Sequence, residues 1–164
     1  MDRRVNLLID NPNSARSGYI NIDPFADGKN DLIIKGDISN LDEHVDDAEL
    51  SELIALDILH YFNGSDVDTI LNQWIKKLAH KGQITISVTD VYEVSHAFFH
   101  KAKDWNIDKF NEIMYGPQKS ESKWDFKRSG FTLNQLVEVL KNKGLKILNK
   151  RIVNYMALVT AERQ

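Results

Sequence analysis

The sequence predicts an α/β protein: a three-layer sandwich built on a mostly parallel sheet of seven strands, which closes with an antiparallel hairpin. Runs of β-branched and aliphatic residues alternate with segments of helical periodicity, a pattern typical of parallel sheets covered by helices. The last two strand-like runs, 145–153 and 155–161, meet near Asn154. Because a parallel pair needs a crossover of about a dozen residues, this pair must be antiparallel. The length of 164 residues is that of a single domain, 1–164.

Four strands are predicted in the first half of the chain. They cover 4–9, 19–23, 31–35 and 52–57. Each is rich in aliphatic residues, and residues that favour turns (Asn, Asp, Pro and Gly) separate the first three. The acidic segment 41–49 is predicted to be a loop or a short helix.

The second half begins with a predicted helix. Ser65 and Asp66 provide capping side chains, and apolar residues recur at helical spacing from Val67 to Leu78. Gly82 is predicted to end this helix in the left-handed conformation. A fifth strand, 83–89, alternates apolar and polar residues. Further helices are predicted at 92–103, 107–115 and 132–143, with an irregular polar segment at 116–130.

The composition excludes several classes of function. With 21 basic and 24 acidic residues the net charge is −3, so no global attraction to nucleic acid is expected. The absence of cysteine excludes disulfides, thiolate catalysis and cysteine-ligated metal sites. No apolar run approaches the roughly 20 residues of a membrane span, and the N-terminus lacks a signal-peptide core. A cytoplasmic protein without membrane contact is therefore expected.

Asp23 is the residue that points most directly to a ligand. The segment Gly18-Tyr19-Ile20-Asn21-Ile22-Asp23-Pro24 predicts a short buried strand that carries an acid at its carboxyl end. In parallel α/β sheets an acid at this place accepts hydrogen bonds from the hydroxyls of a nucleoside ribose. The alternative is that Asp23 caps the turn that Pro24 begins. Within this fold class we favour the ribose interpretation.

The order and spacing of several segments resemble class I S-adenosylmethionine-dependent methyltransferases. The chain is most similar to short predicted methyltransferases that begin with the pattern LNLGCG-x-NP-x-PGYINID. Val5-Asn6-Leu7, Asn11-Pro12 and Gly18–Asp23 match this start. Segment 56–62 resembles the family's SHVLEHF, and 78–88 resembles its PGG turn and fifth strand. The resemblance covers nearly the whole chain and implies a Rossmann-like fold, S-adenosylmethionine as cofactor, and methyl transfer to an unknown acceptor.

The resemblance also assigns roles to individual residues. It implies that the cofactor is bound by residues at the carboxyl ends of the first, second and fourth strands and after the third. These are Asp10 at the methionine end, Asp23 at the ribose, Asp37 and Ile38 at the adenine, and Asp57 at the end of the fourth strand. His60 and Tyr61 follow as catalytic candidates, a general base and a hydrogen-bonding phenol. The competing interpretations are an ordinary Gly-Asp turn at residue 37 and a half-buried polar cluster at 57–61.

Three departures from the family pattern favour a different function. The glycines that let the backbone approach a cofactor are replaced by Leu8-Ile9-Asp10. The family's Glu-His pair has become His60-Tyr61, and its PGG turn has become His80-Lys81-Gly82. The chain could therefore be a catalytically inactive binding or structural protein that acts as a homo-oligomer or with a partner chain.

Two further patterns carry weaker hypotheses. His96 and His100 lie four residues apart on a predicted helix, the spacing of a two-histidine metal face, but a solvated helix face is favoured and no metal site is predicted. Trp124 and the basic residues between Lys119 and Arg128 could stack on and neutralise a nucleic acid. Because loop aromatics more often fold back onto a core, we consider nucleic-acid binding unlikely. The acidic stretch 42–52 is expected to be a solvated face.

Overall fold

Seven strands and four α-helices follow one another in a computed structural model that describes residues 2–164. The strands are β1 Arg3–Leu7, β2 Ile20–Asp23, β3 Ile33–Lys35, β4 Leu50–Leu56, β5 Leu78–Thr89, β6 Leu145–Val153 and β7 Met156–Arg163. The helices are α1 Val67–Lys77, α2 Val91–Phe99, α3 Ile107–Tyr115 and α4 Leu133–Asn142. Short 3₁₀ turns lie at Pro12–Ser14, Leu59–Tyr61 and Lys123–Asp125.

The strands form one sheet in the order β3-β2-β1-β4-β5-β7-β6. The pairs among β1 to β5 are parallel, whereas β7 pairs antiparallel with both β5 and β6. The predicted mostly parallel sheet and closing hairpin are therefore confirmed. The chain proceeds outward from β1 through β2 to β3 and then returns to place β4 on the other side of β1. This reversal makes the β1–β4 boundary a topological switch point, where open α/β sheets bind their ligands.

One face of the sheet carries the hydrophobic core. The residues paired across it include Val5, Leu53, Ile84 and Ala161, and all are fully buried. Helices α1 and α4 pack on this face through apolar side chains that belong to the same core: Leu71, Trp74, Leu136 and Leu140. Each large aliphatic side chain buried in this way stabilises the fold by about 1.5–3 kcal/mol.

The opposite face is only partly covered. Thr85 and Thr160 lie next to each other on β5 and β7, are half-buried, and approach to 3.1 Å through their hydroxyls. Over β1 and β4 the face is covered by the connection between β1 and β2. Tyr19 of this connection donates a hydrogen bond to Glu52, and Asn6 Nδ2 donates to Ser14 O at 2.9 Å. A short connecting segment without an α-helix therefore covers this part of the sheet.

The boundaries of α1 differ from those predicted. Asp66 stands at its N-cap, but its side chain makes no capping hydrogen bond. The helix ends at Lys77, and β5 begins at once with Leu78, which pairs with Leu50. Gly82 does not end a helix. A Cβ at that position would lie 2.5 Å from the carbonyl oxygen of Leu50, so glycine permits the close approach of two strands.

The acidic stretch after β3 is more than a solvated face. Lys77 is 2% exposed, and its ammonium group lies 2.6 Å from Asp42, 2.8 Å from Asp47 and 2.8 Å from the carbonyl oxygen of Val45. Burial lowers the pKa of Lys77, but the two carboxylates outweigh it and the net pKa is raised. The acidic side chains therefore neutralise a buried lysine and fix the segment before β4.

Candidate functional site

Two aspartates flank the switch point of the sheet. Asp10 follows β1 and Asp57 follows β4, and both have left-handed backbone conformations, with φ of 47° and 59°. Aspartate adopts this conformation more readily than most residues other than glycine, and seven further non-glycine residues among 2–164 share it. Both residues are exposed. The crevice at the carboxyl ends of β1 and β4 is thus bordered by two accessible carboxylates.

A cavity of about 400 Å³ opens at this crevice. Its walls come from the end of β1, the connection 11–16 and the end of β4. The lining is mixed: it includes three asparagines, the aliphatic side chain of Leu56, the basic residue Arg16 and the acidic residue Asp57. A cavity of this size holds a small molecule.

Two smaller cavities lie beside the first. One of about 110 Å³ adjoins Asp23 and Phe25, and another of about 300 Å³ lies between Phe25 and Trp124. Ile9 lines both the 400 Å³ and the 300 Å³ cavities. It occupies the middle position of the missing glycine motif and borders both cavities.

The buried His60 side chain contacts Asp57 from the interior of the protein. The Nδ1 atom of His60 accepts a hydrogen bond from the Thr89 backbone N–H at 3.0 Å, so the proton of the neutral imidazole must be on Nε2. Nε2 lies 3.0 Å from Oδ1 of Asp57, although the angle between them is not that of a regular hydrogen bond. The ring is 1% exposed and the Asp57 side chain 56%. His60 therefore supports Asp57 from the interior.

Lys127 completes this cluster from the far end of the chain. Its ammonium group donates to Thr89 Oγ1 and to the carbonyl oxygen of Ile113, both at 2.8 Å. It is half-buried, and its nearest carboxylates, Asp57 and Glu112, act on it through space. The cluster thus joins β4, β5 and the segment after α3.

The environment sets the protonation of these groups. Burial lowers the pKa of His60, and the nearby carboxylate of Asp57 only partly restores it, so the imidazole is neutral near pH 7. Burial lowers the pKa of the Lys127 ammonium as well. Partial burial would raise the pKa of Asp57, but the approach of His60 and the charge of Lys127 hold it below its ordinary value. Asp57 is therefore a carboxylate, available to a cationic ligand.

Asp23 is at the end of β2, as expected, but it is 2% exposed. Its Oδ1 atom accepts hydrogen bonds from the backbone N–H groups of Asp10 at 3.2 Å and Phe25 at 2.8 Å, and its Oδ2 atom accepts one from Asn11 at 3.4 Å. The carboxylate therefore fixes the loop after β1 and the turn after β2. The turn-capping contact to the Phe25 N–H is present, and the contact to a ribose stays a prediction.

The two residues assigned to adenine have different environments. Asp37 is exposed, and its Oδ1 atom accepts from the N–H and the hydroxyl of Ser39, as in an ordinary turn. Ile38 is fully buried in the core, and its carbonyl oxygen accepts a hydrogen bond from Trp74 Nε1 at 2.8 Å. The Ile38 side chain packs inward in this arrangement.

The structure brings some of the predicted site residues together. Asp57, His60 and Tyr61 form one cluster, and Asp10 contacts Asp23 through its backbone. The sequence did not reveal Lys127 or Thr89 as members. Lys127 lies in an irregular polar segment, and only the packing of that segment against β5 places its ammonium group beside Thr89.

The histidine pair on α2 lies on an exposed surface. The rings of His96 and His100 are 4.3 Å apart, and both side chains are exposed. Within residues 2–164 no group of three or more His, Cys, Asp or Glu is arranged to hold a metal ion. In the same part of the chain, no helix has both the length and the apolar character needed to cross a membrane.

Comparison with known proteins identifies the fold. No protein-family model matches the sequence, and no curated protein matches it significantly. Among solved structures, the chain resembles an S-adenosylmethionine-dependent methyltransferase from Archaeoglobus fulgidus, with 14% identity, a TM-score of 0.60, and coverage of 99% of this chain and 86% of that one.

Two further solved structures are similar. One is the 1,6-didemethyltoxoflavin-N1-methyltransferase of Burkholderia thailandensis, crystallised with S-adenosylhomocysteine (13% identity, TM-score 0.61, coverage 99% and 72%). The other is a chain of the complex between the Haloferax volcanii Trm112 methyltransferase activator and a putative methyltransferase (12% identity, TM-score 0.60, coverage 98% and 82%). At these identities the likeness shows the fold alone, and the chain has the fold of S-adenosylmethionine-dependent methyltransferases.

Proposed function

We propose that this protein binds S-adenosylmethionine at the β1–β4 switch point and transfers its methyl group to an acceptor. The observation that carries the proposal is the pair of left-handed, exposed aspartates, Asp10 and Asp57, at the two sides of the crevice. S-adenosylmethionine carries a sulfonium and an ammonium group, and carboxylates at the mouth of a partly desolvated cavity attract both. The fold, shared with methyltransferases, supports the same assignment.

The nucleoside end would be held more loosely than in a site with a free ribose acid. A carboxylate has about four lone-pair positions, and Asp23 uses three of them for backbone N–H groups. One position is left for a ribose hydroxyl. Asp37 is accessible to an adenine amino group, whereas Ile38 would have to leave the core to pack on the base.

The remaining residues would act on orientation and protons. The bound cofactor would supply an electrophilic methyl group, and the protein would place the acceptor in line with it. His60 is too deeply buried to touch an acceptor, so it would act as a positioning residue for Asp57. Tyr61 is half-buried and lines the 300 Å³ cavity, where its phenol can contact an acceptor directly.

A binding or structural role without catalysis is the second candidate. Leu8, which is 4% exposed, stands where the family has a glycine, and Ile9 borders both the 400 Å³ and the 300 Å³ cavities, so aliphatic bulk lies beside the crevice. The Asp23 carboxylate already accepts hydrogen bonds from the loop after β1. A partner chain would fit this role, and the similar Haloferax volcanii chain comes from a complex with an activator.

Thermal unfolding with added ligand separates the two candidates. A ligand at 100 times its dissociation constant adds about 2.7 kcal/mol of stability, a rise of roughly 5–10 °C in Tm for a domain of this size. We expect S-adenosylmethionine and S-adenosylhomocysteine at millimolar concentration to give such a rise, and Asp57→Asn to reduce it. Asparagine tolerates the left-handed conformation, so this variant folds.

The matched control is Asp104→Asn, at an exposed aspartate that also has a left-handed backbone, with φ of 65°, and that lines none of the three cavities. It should leave the rise in Tm unchanged. No rise with either ligand would overturn the proposal, whereas a rise without methyl transfer to any acceptor would support the binding role.

A further inference from the structure

We infer that the 300 Å³ cavity between β1 and the segment after α3 binds an organic ammonium group, so that the methyl acceptor is an amine. The assignment of an amine as methyl acceptor rests on the proposed function. The cavity lies beside the switch-point crevice and is lined by Asp10, Phe25, Tyr61, Trp124 and Asp125, with smaller residues between them.

Aromatic rings form much of its wall. Phe25 is 43% exposed, Tyr61 is half-buried, and Trp124 is 8% exposed. The three rings come from the turn after β2, the 3₁₀ turn after β4 and the 3₁₀ turn after α3. The face of an aromatic ring attracts a cation within about 6 Å, and cages of such rings recognise alkylammonium groups.

The charged groups of the cavity have one sign. Asp10 and Asp125 contribute carboxylates, and among residues 2–164 no lysine, arginine or histidine lines the cavity. The Asp125 carboxylate is oriented by a hydrogen bond from Ser120 Oγ at 2.5 Å. Burial, and after it the charges of Asp57 and Asp125, raise the pKa of Tyr61, which agrees with a negative field at this ring. The cavity therefore combines ring faces with negative charge, the two features that bind an ammonium group.

One ring of the wall already contacts an ammonium group within the chain. Lys123 Nζ lies 4.6 Å from the centroid of the Trp124 ring. This lysine is exposed and stands outside the cavity lining. Trp124 and Phe62 form a T-shaped pair, with 5.4 Å between their ring centroids. The Trp124 ring thus already attracts one cation within the chain.

The position of the cavity suits an acceptor. It shares Ile9 with the 400 Å³ cavity, so a group bound in one lies next to a group bound in the other. In the transfer, the amine nitrogen, deprotonated to expose its electron pair, forms the new N–C bond as the S–C bond of the sulfonium breaks. The electron pair of that bond stays on sulfur as S-adenosylhomocysteine is released. The proton that the amine loses goes to solvent.

Choline is a suitable probe, because 3,3-dimethyl-1-butanol has the same shape without the charge. We expect choline to bind in isothermal titration without any cofactor, and the neutral analogue to bind at least five-fold more weakly. Phe25→Leu and Tyr61→Leu should each lower the affinity for choline about ten-fold. Tyr61→Phe keeps the ring and should change this affinity less than two-fold. Phe25 is surface-exposed, so its variant tests the cavity even if Tyr61→Leu does not fold. Phe99→Leu, at an 80% exposed ring remote from the cavity, is the matched control.

Several results would overturn the inference. Equal affinity for choline and its neutral analogue would show that the cavity does not recognise the positive charge. Loss of choline binding in Phe99→Leu would show that choline binds at another place on the protein. Competition between choline and S-adenosylhomocysteine would assign the cavity to the methyl donor. Failure of the proposed function has a different signature: choline would bind while S-adenosylhomocysteine would not. If both bind independently, radiolabelled methyl transfer to primary and secondary amines, and none to matched alcohols, completes the test.

Discussion

The Nε2 atom of His60 lies 3.0 Å from Oδ1 of Asp57, and the two side chains are exposed to very different degrees, 1% and 56%. The neutral ring is fixed on its other side by the Thr89 backbone N–H. A buried, uncharged imidazole thus supports an exposed carboxylate at the carboxyl edge of the parallel strands. This arrangement keeps Asp57 ionised and in place without competing for its charge.

The burial of His60 predicts a loss of stability in mild acid. The folded protein binds the imidazole proton more weakly than the unfolded chain, whose ordinary pKa is 6.5. The free energy of unfolding should therefore be largest above pH 6.5 and decrease as the pH falls below it, by at most about 1.4 kcal/mol per pH unit. His60→Asn keeps an acceptor for Thr89 and should flatten this slope between pH 7 and 5. Urea unfolding measures it, and the exposed His96→Asn is the control.

A slope that His60→Asn leaves unchanged would contradict this account of the buried ring. Asp57 also has a lowered pKa, so its contribution is lost only as the pH falls below the ordinary carboxyl range. The interval between pH 7 and 5 therefore isolates the histidine.

Asp23 should matter for stability even without ligand. Asp23→Ala leaves three backbone N–H groups without their acceptor and should lower the free energy of unfolding by about 3 kcal/mol. Asp23→Asn keeps an oxygen at the position of Oδ1, which serves Asp10 and Phe25, and should cost about 1 kcal/mol. Denaturant unfolding measures both. Equal effects of the two variants would show that the loop does not depend on these hydrogen bonds.

Ile9 should limit the affinity for a cofactor. Ile9→Ala shortens a side chain at the border of the two cavities, and we predict that S-adenosylhomocysteine then binds several-fold more tightly in isothermal titration. The buried neighbour Leu8 is the comparison, because Leu8→Gly opens a position in the interior and should cost about 3 kcal/mol or more of stability. Unchanged affinity in folded Ile9→Ala would place the obstacle elsewhere.

Lys127 should tune the acidity of Asp57. Lys127→Met removes the nearby positive charge, so the pKa of Asp57 should rise, as carboxyl-carbon NMR titration would show. Loss of the hydrogen bonds to Thr89 and Ile113 should also cost about 1–2 kcal/mol. Lys119→Met, at an exposed lysine of the same segment, is expected to change neither quantity. An unchanged pKa of Asp57 in Lys127→Met would show that Lys127 does not act on this carboxylate.

Local sequence patterns predicted most of the fold. They failed where a contact with a strand distant in sequence determines the local structure. Leu78 continues the apolar spacing of α1, so the sequence extends the helix through it. In the folded chain it pairs with Leu50 and begins β5. Gly82 resembles a helix cap in sequence, but the carbonyl oxygen of Leu50 is what requires a glycine there.

The places of the candidate residues along the chain were predictable, and their hydrogen bonds were less so. The carboxyl ends of the strands could be located from the sequence, which placed Asp10, Asp23 and Asp57 correctly along the elements. The partners of Asp23 depend on the path of the loop after β1, which contains no regular pattern. Lys127 joins the cluster through the packing of an irregular segment on β5, a contact that periodicity does not encode.

The most direct test of the proposed cofactor site is an amide chemical-shift map of ¹⁵N-labelled protein titrated with S-adenosylhomocysteine. We predict saturable shifts concentrated at Asp10, Asn11, Asp57 and their neighbours, at the carboxyl ends of β1 and β4, and their loss in Asp57→Asn. An unchanged spectrum at millimolar ligand, or shifts confined to residues away from this edge of the sheet, would contradict the account.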